Sequence, residues 1–427
     1  MLLLPYRCQC ASASGANGLV TSQLEAELAS AGEARNRIRR ACVLAGIASI
    51  VLAGWSAHTA EPARPLGAPR AQAADVEFVI HISIDGLRAD LLQALLANDS
   101  AGLYGDYQRF VDEGATTFNA RTDFAYTNTI PNHTTMLTGR PVSIPAGQPI
   151  TTHHGYTNNS DPGPTDTLHN RGNPNLAYVA SVFDVVHDNG LTTGLYASKS
   201  KFVIYEQSYN AANGAPDVTA ADDGTAKIDT YINMSTGTPS NASNLHAAFI
   251  QDLTTNPRHY SFVHYRDPDT AGHAAGWGSA SWNDAVRNVG GYLGDVFGAV
   301  ETTPALQGRT VIIVTTDHGG SGTDHSQATV LAHYRIPLFV WGASIRAGAD
   351  LYALNPGARS DPGTGKPDYN ASPPPIRNGD TGNLALQLLG LGIVPGSTIN
   401  AVQDLNAGQG TVAVRAHSMG GMKSQYR

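Results

Sequence analysis

The chain has 427 residues, a formal charge of −8 and 15 histidines. That length holds one large domain or two ordinary ones, and the acidic balance argues against a nucleic-acid-binding surface, which is normally basic. All three cysteines (Cys8, Cys10, Cys42) precede residue 73, so a chain shortened there has none and must build any metal site from His and carboxylate.

Residues 1–73 read as a presequence. The basic stretch "RNRIRR" (Arg35–Arg40) precedes the apolar run "ACVLAGIASIVLAGWSA" (Ala41–Ala57), and small-residue cleavage sites follow at Ala57–Ala60 or Ala71–Ala73. This is the order of a secretory signal, with a faint twin-arginine character at Arg39-Arg40. The competing reading is an N-terminal anchor, for which a run of 17 residues is short. The expectation is an exported protein, periplasmic or extracellular, with no stable span once the signal is removed.

In chain order, "VEFVIHISID" (Val76–Asp85) comes first, a nearly continuous apolar run ending in Asp-Gly, as expected of a buried parallel strand with a functional tip. "TTGLYAS" (Thr192–Ser198), "YSFVHY" (Tyr260–Tyr265), "RTVIIVTTDHGG" (Arg309–Gly320) and "IPLFVWG" (Ile336–Gly342) continue the pattern. Helical spacing runs over Asn175–Gly190, through "SNLHAAFIQDLTT", and over Ser281–Glu301, where Gly290 and Gly291 weaken it. Strands alternating with helices predict an α/β three-layer sandwich with a mainly parallel central sheet, whose ligands collect at the carboxyl ends of the strands. Val142–Asn173, Asn210–Asn241 and Ala353–Asp380 read as loops. Residues 76–406 read as a single domain and 407–427 as a polar tail.

Hard and borderline ligands recur at the strand ends. Asp85 closes the first strand, Asp269 and His273 follow Tyr260–Tyr265, Asp317 and His318 follow Val311–Thr315, and His325 comes shortly after. Singly, each has a plainer reading: an Asp-Gly is commonly a turn, and an Asp with a His four residues on arises by chance. Together, three Asp and three His at the tips of three strands suit two Zn²⁺-like ions with open positions. Such a pair, about 4 Å apart, clamps the attacking and leaving oxygens of an in-line displacement at phosphorus.

The stretch "TNTIPNHTTMLTGR" (Thr127–Arg140) supplies a nucleophile. Pro131 suits the first turn of a helix through Met136, which sets a threonine at a helix N-terminus, where N–H groups favour an alkoxide and a phosphoryl oxygen. By itself the window reads rather as Thr129 capping a helix; the ligand cluster at the strand ends turns the reading toward a nucleophile.

These residues resemble the alkaline phosphatase superfamily, most closely its type I phosphodiesterase/nucleotide pyrophosphatase branch. The matches are "IDGLR", "TIPNHTTMLTGRPV", "HHGYTNN", "DPDTAGH" and "TTDHGG", in the family's order from Phe78 to about Gly342. The resemblance implies a covalent phosphothreonine-type or nucleotidyl-threonine intermediate on Thr129. It implies one zinc on Asp85, Asp317, His318 and Thr129, and a second on Asp269, His273 and His325, with His333 as the alternative third histidine. Asn159, or its neighbour Asn158, would hold a phosphoryl oxygen. The substrate so implied is a small phosphate ester with a phosphodiester or nucleotide pyrophosphate bond. The neighbouring sulfatase branch places Cys or Ser where Thr129 stands, and threonine gives no formylglycine, which argues against a sulfate ester.

Two alternatives stand beside this expectation. Lys199 and Lys201 in "YASKSKF" would favour a phosphomonoester if one reaches the site; their plainer reading is two solvated lysines. Phe202 and Tyr205 would stack a nucleobase, or else belong to the core. A secreted binding protein without catalysis would show broken ligands, and all six are intact.

Overall fold

Continuous apolar runs become strands here because both sheet faces are covered by helices. The computed structural model describes residues 76–217, 225–235 and 241–408. The chain divides into units of residues 1–70 and 71–427, and the described residues all lie in the second. The presequence expectation and all but the first two residues of the tail fall outside the described residues. Among those described, no helix is long and apolar enough to cross a membrane.

Eight strands form one sheet: β1 Phe78–Ile84, β2 Ala115–Arg121, β3 Thr193–Ala197, β4 Thr230–Asn233, β5 Tyr260–Tyr265, β6 Thr310–Thr315, β7 Arg335–Gly342 and β8 Ala349–Asp350. Their spatial order is β4-β3-β5-β1-β6-β7-β2-β8. All pairings are parallel except those of β7, which runs antiparallel to both β6 and β2. The Ile336–Gly342 run is therefore a strand but not a parallel one.

The helices used below are α1 Ala89–Ala97, α2 Gly105–Glu113, α3 Thr129–Thr138, α4 Val182–Asp188, α5 Val203–Tyr209, α6 Asn241–Thr255, α7 Asp267–Ala275, α8 Ala280–Thr302 and α9 Asp380–Leu388. Strand periodicity divides them into two layers. Phe78, Ile80, Ile82 and Ile84 of β1 pack with Leu92, Phe110, Phe249, Trp282 and Phe297 of α1, α2, α6 and α8. Val79 joins Ile313 and Phe262 beneath Met136, Val186, Ile204 and Leu386 of α3, α4, α5 and α9. The result is the three-layer α/β sandwich.

Local chemistry explains where the elements depart from expectation. The helix expected over Asn175–Gly190 begins only at Val182, because the Asp184 carboxylate accepts from the Ser181 N–H at 2.7 Å and its hydroxyl at 2.8 Å, closing a capping box. Gly290 and Gly294 do not break α8; a Cβ at either would press on Tyr107 or Asp106 at 3.0 and 2.8 Å, so they are where α2 crosses closely.

Candidate active site

The register of the central strands builds the site. Ser83 on β1 pairs with His264 on β5 and Thr315 on β6, so the three strands end level and their following loops are neighbours. Asp85 follows β1 directly, Asp317 follows β6 by two residues, and Asp269 sits in the first turn of α7 beyond β5, with its N–H on the Asp85 carbonyl at 3.0 Å. Gly86 makes this approach possible: its φ is +71°, and a Cβ there would stand 2.9 Å from the Asp269 Cα. Gly86→Ala is expected to cost at least about 1 kcal/mol from the left-handed backbone alone and to shift Asp269. A melting curve and a zinc titration on the variant check this, and unchanged values in both would refute it.

The six predicted carboxylates and imidazoles fall into two groups, Asp85–Asp317–His318 and Asp269–His273–His325, the ligand atoms within each lying within 4.8 Å of one another. The His318 and His325 rings stack at 3.6 Å and 7°, which joins the groups. Each histidine is set by its far nitrogen: Nδ1 of His318 lies 2.8 Å from the Gly319 carbonyl, that of His273 3.0 Å from Thr323 and that of His325 2.7 Å from Thr127. Nδ1–H therefore donates to backbone and Nε2 turns toward the carboxylates. His318 Nε2 is 3.1 Å from Asp317 Oδ2 and 3.5 Å from Asp85 Oδ1; His273 and His325 Nε2 are 3.4 and 3.7 Å from Asp269 Oδ1. His318 Nε2, Asp85 Oδ1, Asp317 Oδ2 and Asp269 Oδ1 are buried with no hydrogen-bond partner. Inward-facing carboxylate oxygens and an imidazole nitrogen gathered at this spacing fit divalent cations of the borderline type that take N and O ligands.

The opposite carboxylate oxygens are fully engaged. Asp317 Oδ1 accepts from the N–H groups of Gly86 and His318 at 3.2 and 3.0 Å and from the Thr316 hydroxyl at 3.2 Å. Asp85 Oδ2 lies 2.9 Å from His264 Nε2 and 2.6 Å from Lys199 Nζ, and the same ammonium is 2.7 Å from Asp269 Oδ2. Lys199 is not solvated: its side chain is 14% exposed and bridges the two groups from behind. Burial and the Asp317 charge push the Asp85 carboxyl up, but Lys199 and His264 hold it below its usual range. Burial opposes the charge on His318, yet Asp317, Asp85 and Asp269 outweigh it and raise the imidazole to about 9.

Thr129 is the first residue of α3 and nearly fully buried; the cap position falls to Asn128. Two side chains of the same helix hold its start. Asn132 accepts from the Asp123 N–H at 2.8 Å and donates to the Tyr126 and Asn128 carbonyls at 3.0 and 3.1 Å. His133 sits between the Thr129 carbonyl, 2.7 Å from Nδ1, and the Ser83 hydroxyl, 2.8 Å from Nε2. Asn159 Oδ1 accepts from the Ile130 N–H at 3.0 Å, whereas Asn158 turns to Tyr156 and Ser160. Thr127 donates its hydroxyl to the His325 carbonyl at 2.6 Å. His333 is occupied outside the groups, with Nε2 on Ser321 at 2.8 Å and Nδ1 accepting from the Gln327 N–H at 3.2 Å. Phe202 and Tyr205 are wholly buried; Phe202 packs on His133 and His264, and neither is a base-stacking surface.

A family profile, type I phosphodiesterase / nucleotide pyrophosphatase, matches residues 79–370, which takes in every residue of this constellation. The chain belongs to that family. No curated protein matches it in sequence. Among solved structures, the mouse ectonucleotide pyrophosphatase / phosphodiesterase 5, inactive through a threonine-to-alanine change and in complex with AMP, is similar with a TM-score of 0.51 at 14% identity, covering 77% of this chain and 99% of that one. A 2-O GAG sulfatase is similar with a TM-score of 0.50 at 13% identity, covering 79% and 75% of the two chains. Both likenesses are of fold: this family member has the alkaline phosphatase-like sandwich, with a candidate metal site at its strand ends.

Residues that the sequence reading passed over are now visible. His264 and Ser83 were polar breaks in apolar strands, a usable signal, while Asp123 gave none. Asp123 Oδ1 accepts from the N–H groups of Ala125 and Tyr126 at 2.7 and 3.0 Å, shaping the loop that leads to Thr129.

Proposed function

We propose that this protein is an exported hydrolase of phosphate esters, with the family's phosphodiester and nucleotide pyrophosphate bonds as its expected substrates, acting through Thr129. The observation that carries the reading is the set of four buried, partnerless ligand atoms facing one another beside the head of α3. Asp85, Asp317 and His318, with Thr129, would hold one divalent ion, and Asp269, His273 and His325 a second, zinc being the best match to this N/O set. Ions so held supply the Lewis acidity that lowers the pKa of a hydroxyl or water and stabilises a leaving oxygen.

The chain's own residues do the rest. Thr129 Oγ forms a bond to phosphorus as the ester P–O bond breaks, and the leaving oxygen takes that electron pair and a proton. Water then attacks the phosphothreonine, the Thr129 P–O bond breaks, and the threonine recovers its proton. The α3 N-terminus favours the negative charge that develops there, and Asn159, whose Oδ1 accepts from the Ile130 N–H, would orient the phosphoryl group through its amide N–H. That the inactive form of the mouse relative is a threonine-to-alanine variant supports Thr129 as the reacting residue.

The test is metal content measured beside turnover of bis(p-nitrophenyl) phosphate. Two equivalents of zinc with hydrolysis are expected; no bound metal and no activity would end the proposal.

The raised His318 pKa adds a pH dependence. Metal needs the neutral Nε2, and the proton occupies it below about 9. His325, whose burial and neighbour His318 lower it to about 4, is already neutral. Zinc affinity should therefore rise about tenfold per pH unit between pH 6 and 8 and level off above 9, with about one proton released from the Asp85–Asp317–His318 group. Calorimetry in buffers of different ionisation enthalpy reads the proton count, and a count of zero would refute the assignment.

A further inference from the structure

We infer that Tyr369 and Asn378 are positioning residues for the nucleophile, setting the segment 123–132 that carries Thr129 against the ligand loop after β6. The inference rests on the Thr129 reading and adds the groups that aim it.

Asp123 and Asn132 bracket Thr129. The Asp123 N–H donates to Asn132 Oδ1 at 2.8 Å, so the chain between them is closed at its base. Tyr369 takes the first end. Its hydroxyl donates to Asp123 Oδ2 at 2.6 Å, beside the Val142 N–H at 3.0 Å, while Oδ1 is spent on the Ala125 and Tyr126 N–H groups inside the loop. Asn378 takes the second end. Its Nδ2 donates to Asn132 Oδ1 at 3.1 Å and to the Thr316 carbonyl at 3.3 Å, one residue before Asp317. These partners fix which way each amide faces. Asn378 is fully buried, and its own N–H donates to the Arg121 carbonyl at 2.9 Å, at the end of β2. Arg377 ties the two residues together. Its guanidinium lies 4.5 Å from the centre of the Tyr369 ring and donates to the Thr122 and Asp368 carbonyls, each at 3.1 Å.

The role follows from the tolerance of the reaction. In-line attack needs Thr129 Oγ aligned with phosphorus, and a misplacement of about 1 Å can cost on the order of 100-fold. Helix α3 fixes Thr129 from one side only. Residues 122–128 before it belong to no helix or strand, so side chains from elsewhere have to hold them. Tyr369 does so with a neutral donor. Burial and the Asp123 charge push its phenol well above the usual range, so the hydroxyl keeps its proton at alkaline pH. Asn378 adds the link to the metal side: one amide spaces Asn132, on the helix that begins with Thr129, from Thr316, next to a ligand. Neither residue is required to touch the substrate; both act through the backbone they hold.

The experiment measures kcat and KM for bis(p-nitrophenyl) phosphate in the zinc-loaded protein, with zinc content followed throughout. Tyr369→Phe removes one hydroxyl and should lower kcat about tenfold or more, with KM and zinc content little changed. Asn378→Ala should act in the same direction, and Tyr369→Phe decides if that buried change unfolds the protein. In Thr129→Ala there is no hydroxyl left to aim, so adding Tyr369→Phe should leave the residual rate where it was. An unchanged kcat in Tyr369→Phe, or an equal fractional loss in the Thr129→Ala background, overturns the inference. Hydrogen exchange on the metal-free protein provides a readout free of turnover. Amides of residues 123–132 should exchange at least about fivefold faster in Tyr369→Phe, with those of β1 unaffected. Unchanged exchange, or exchange faster everywhere alike, refutes the positioning role. A fully active Thr129→Ala ends the underlying reading by itself; with Thr129→Ala inactive, a Tyr369→Phe protein of full kcat refutes this inference alone.

Discussion

Thr129→Ala should abolish turnover, by about 1,000-fold or more as for other nucleophile removals, while leaving the fold and the bound metal largely in place. The hydroxyl is lost from the first residue of α3, but the clasp around it is made by other groups. Asn132 still holds the Tyr126 and Asn128 carbonyls, His133 still meets the backbone carbonyl of residue 129, and Asn159 still receives the Ile130 N–H. Alanine also favours helix more than threonine does. Thr127→Ala provides the contrast. Its hydroxyl donates to the His325 carbonyl, so its loss should cost about 1 kcal/mol of stability and only a few-fold in rate. The His325 Nδ1 contact is to the Thr127 backbone and survives. Rates for both variants on one nitrophenyl ester decide the matter. An active Thr129→Ala beside a dead Thr127→Ala would show that the wrong threonine was chosen.

That contrast could be framed from sequence because some parts of the molecule are locally determined. β1, β5 and β6 were legible since burial on both faces leaves nearly continuous apolar runs. The polar residue that ends each run marks the sheet's carboxyl edge. β2, "ATTFNAR", was not picked out: its threonines favour a strand, but its asparagine and arginine interrupt any apolar run, and it is specified by pairing with β7 and β8. β4 is short and half-buried along its length, and so lay hidden in an expected loop. The sequence leaves Phe202 and Tyr205 open between base stacking and the core, because nothing local reveals that His133, His264 and Thr134 cover them. Lys199 is the clearest case. "SKSKF" is as polar as any surface loop, and the lysine is buried only because Asp85 and Asp269, from distant parts of the chain, converge on it. Candidate ligands could be named from their strand tips; what stands behind them depends on tertiary contacts.

The same division of labour within one carboxylate makes Asp317→Asn the sharpest test of the metal site. Asp317 Oδ1 is a structural acceptor for Gly86, His318 and Thr316, while Oδ2 is buried without a partner, 3.1 Å from His318 Nε2. Asparagine keeps the first oxygen and replaces the second with an amide that donates to His318 and cannot ligate. Alanine would instead strand the Gly86 and His318 N–H donors, at about 1–3 kcal/mol for each one left buried and unsatisfied, and would confound folding with metal loss. Asp317→Asn should therefore keep its melting temperature in the metal-free state to within a few degrees. Zinc should fall from two equivalents toward one, since Asp269, His273 and His325 remain, and turnover should drop about 1,000-fold, as the ion expected beside Thr129 is the one lost. His318 should titrate below its native value of about 9, because Asp317 is the strongest of the charges that raise it. Histidine NMR on the metal-free protein reads that shift apart from any activity. Two equivalents of zinc with full turnover in Asp317→Asn would remove Asp317 from the site.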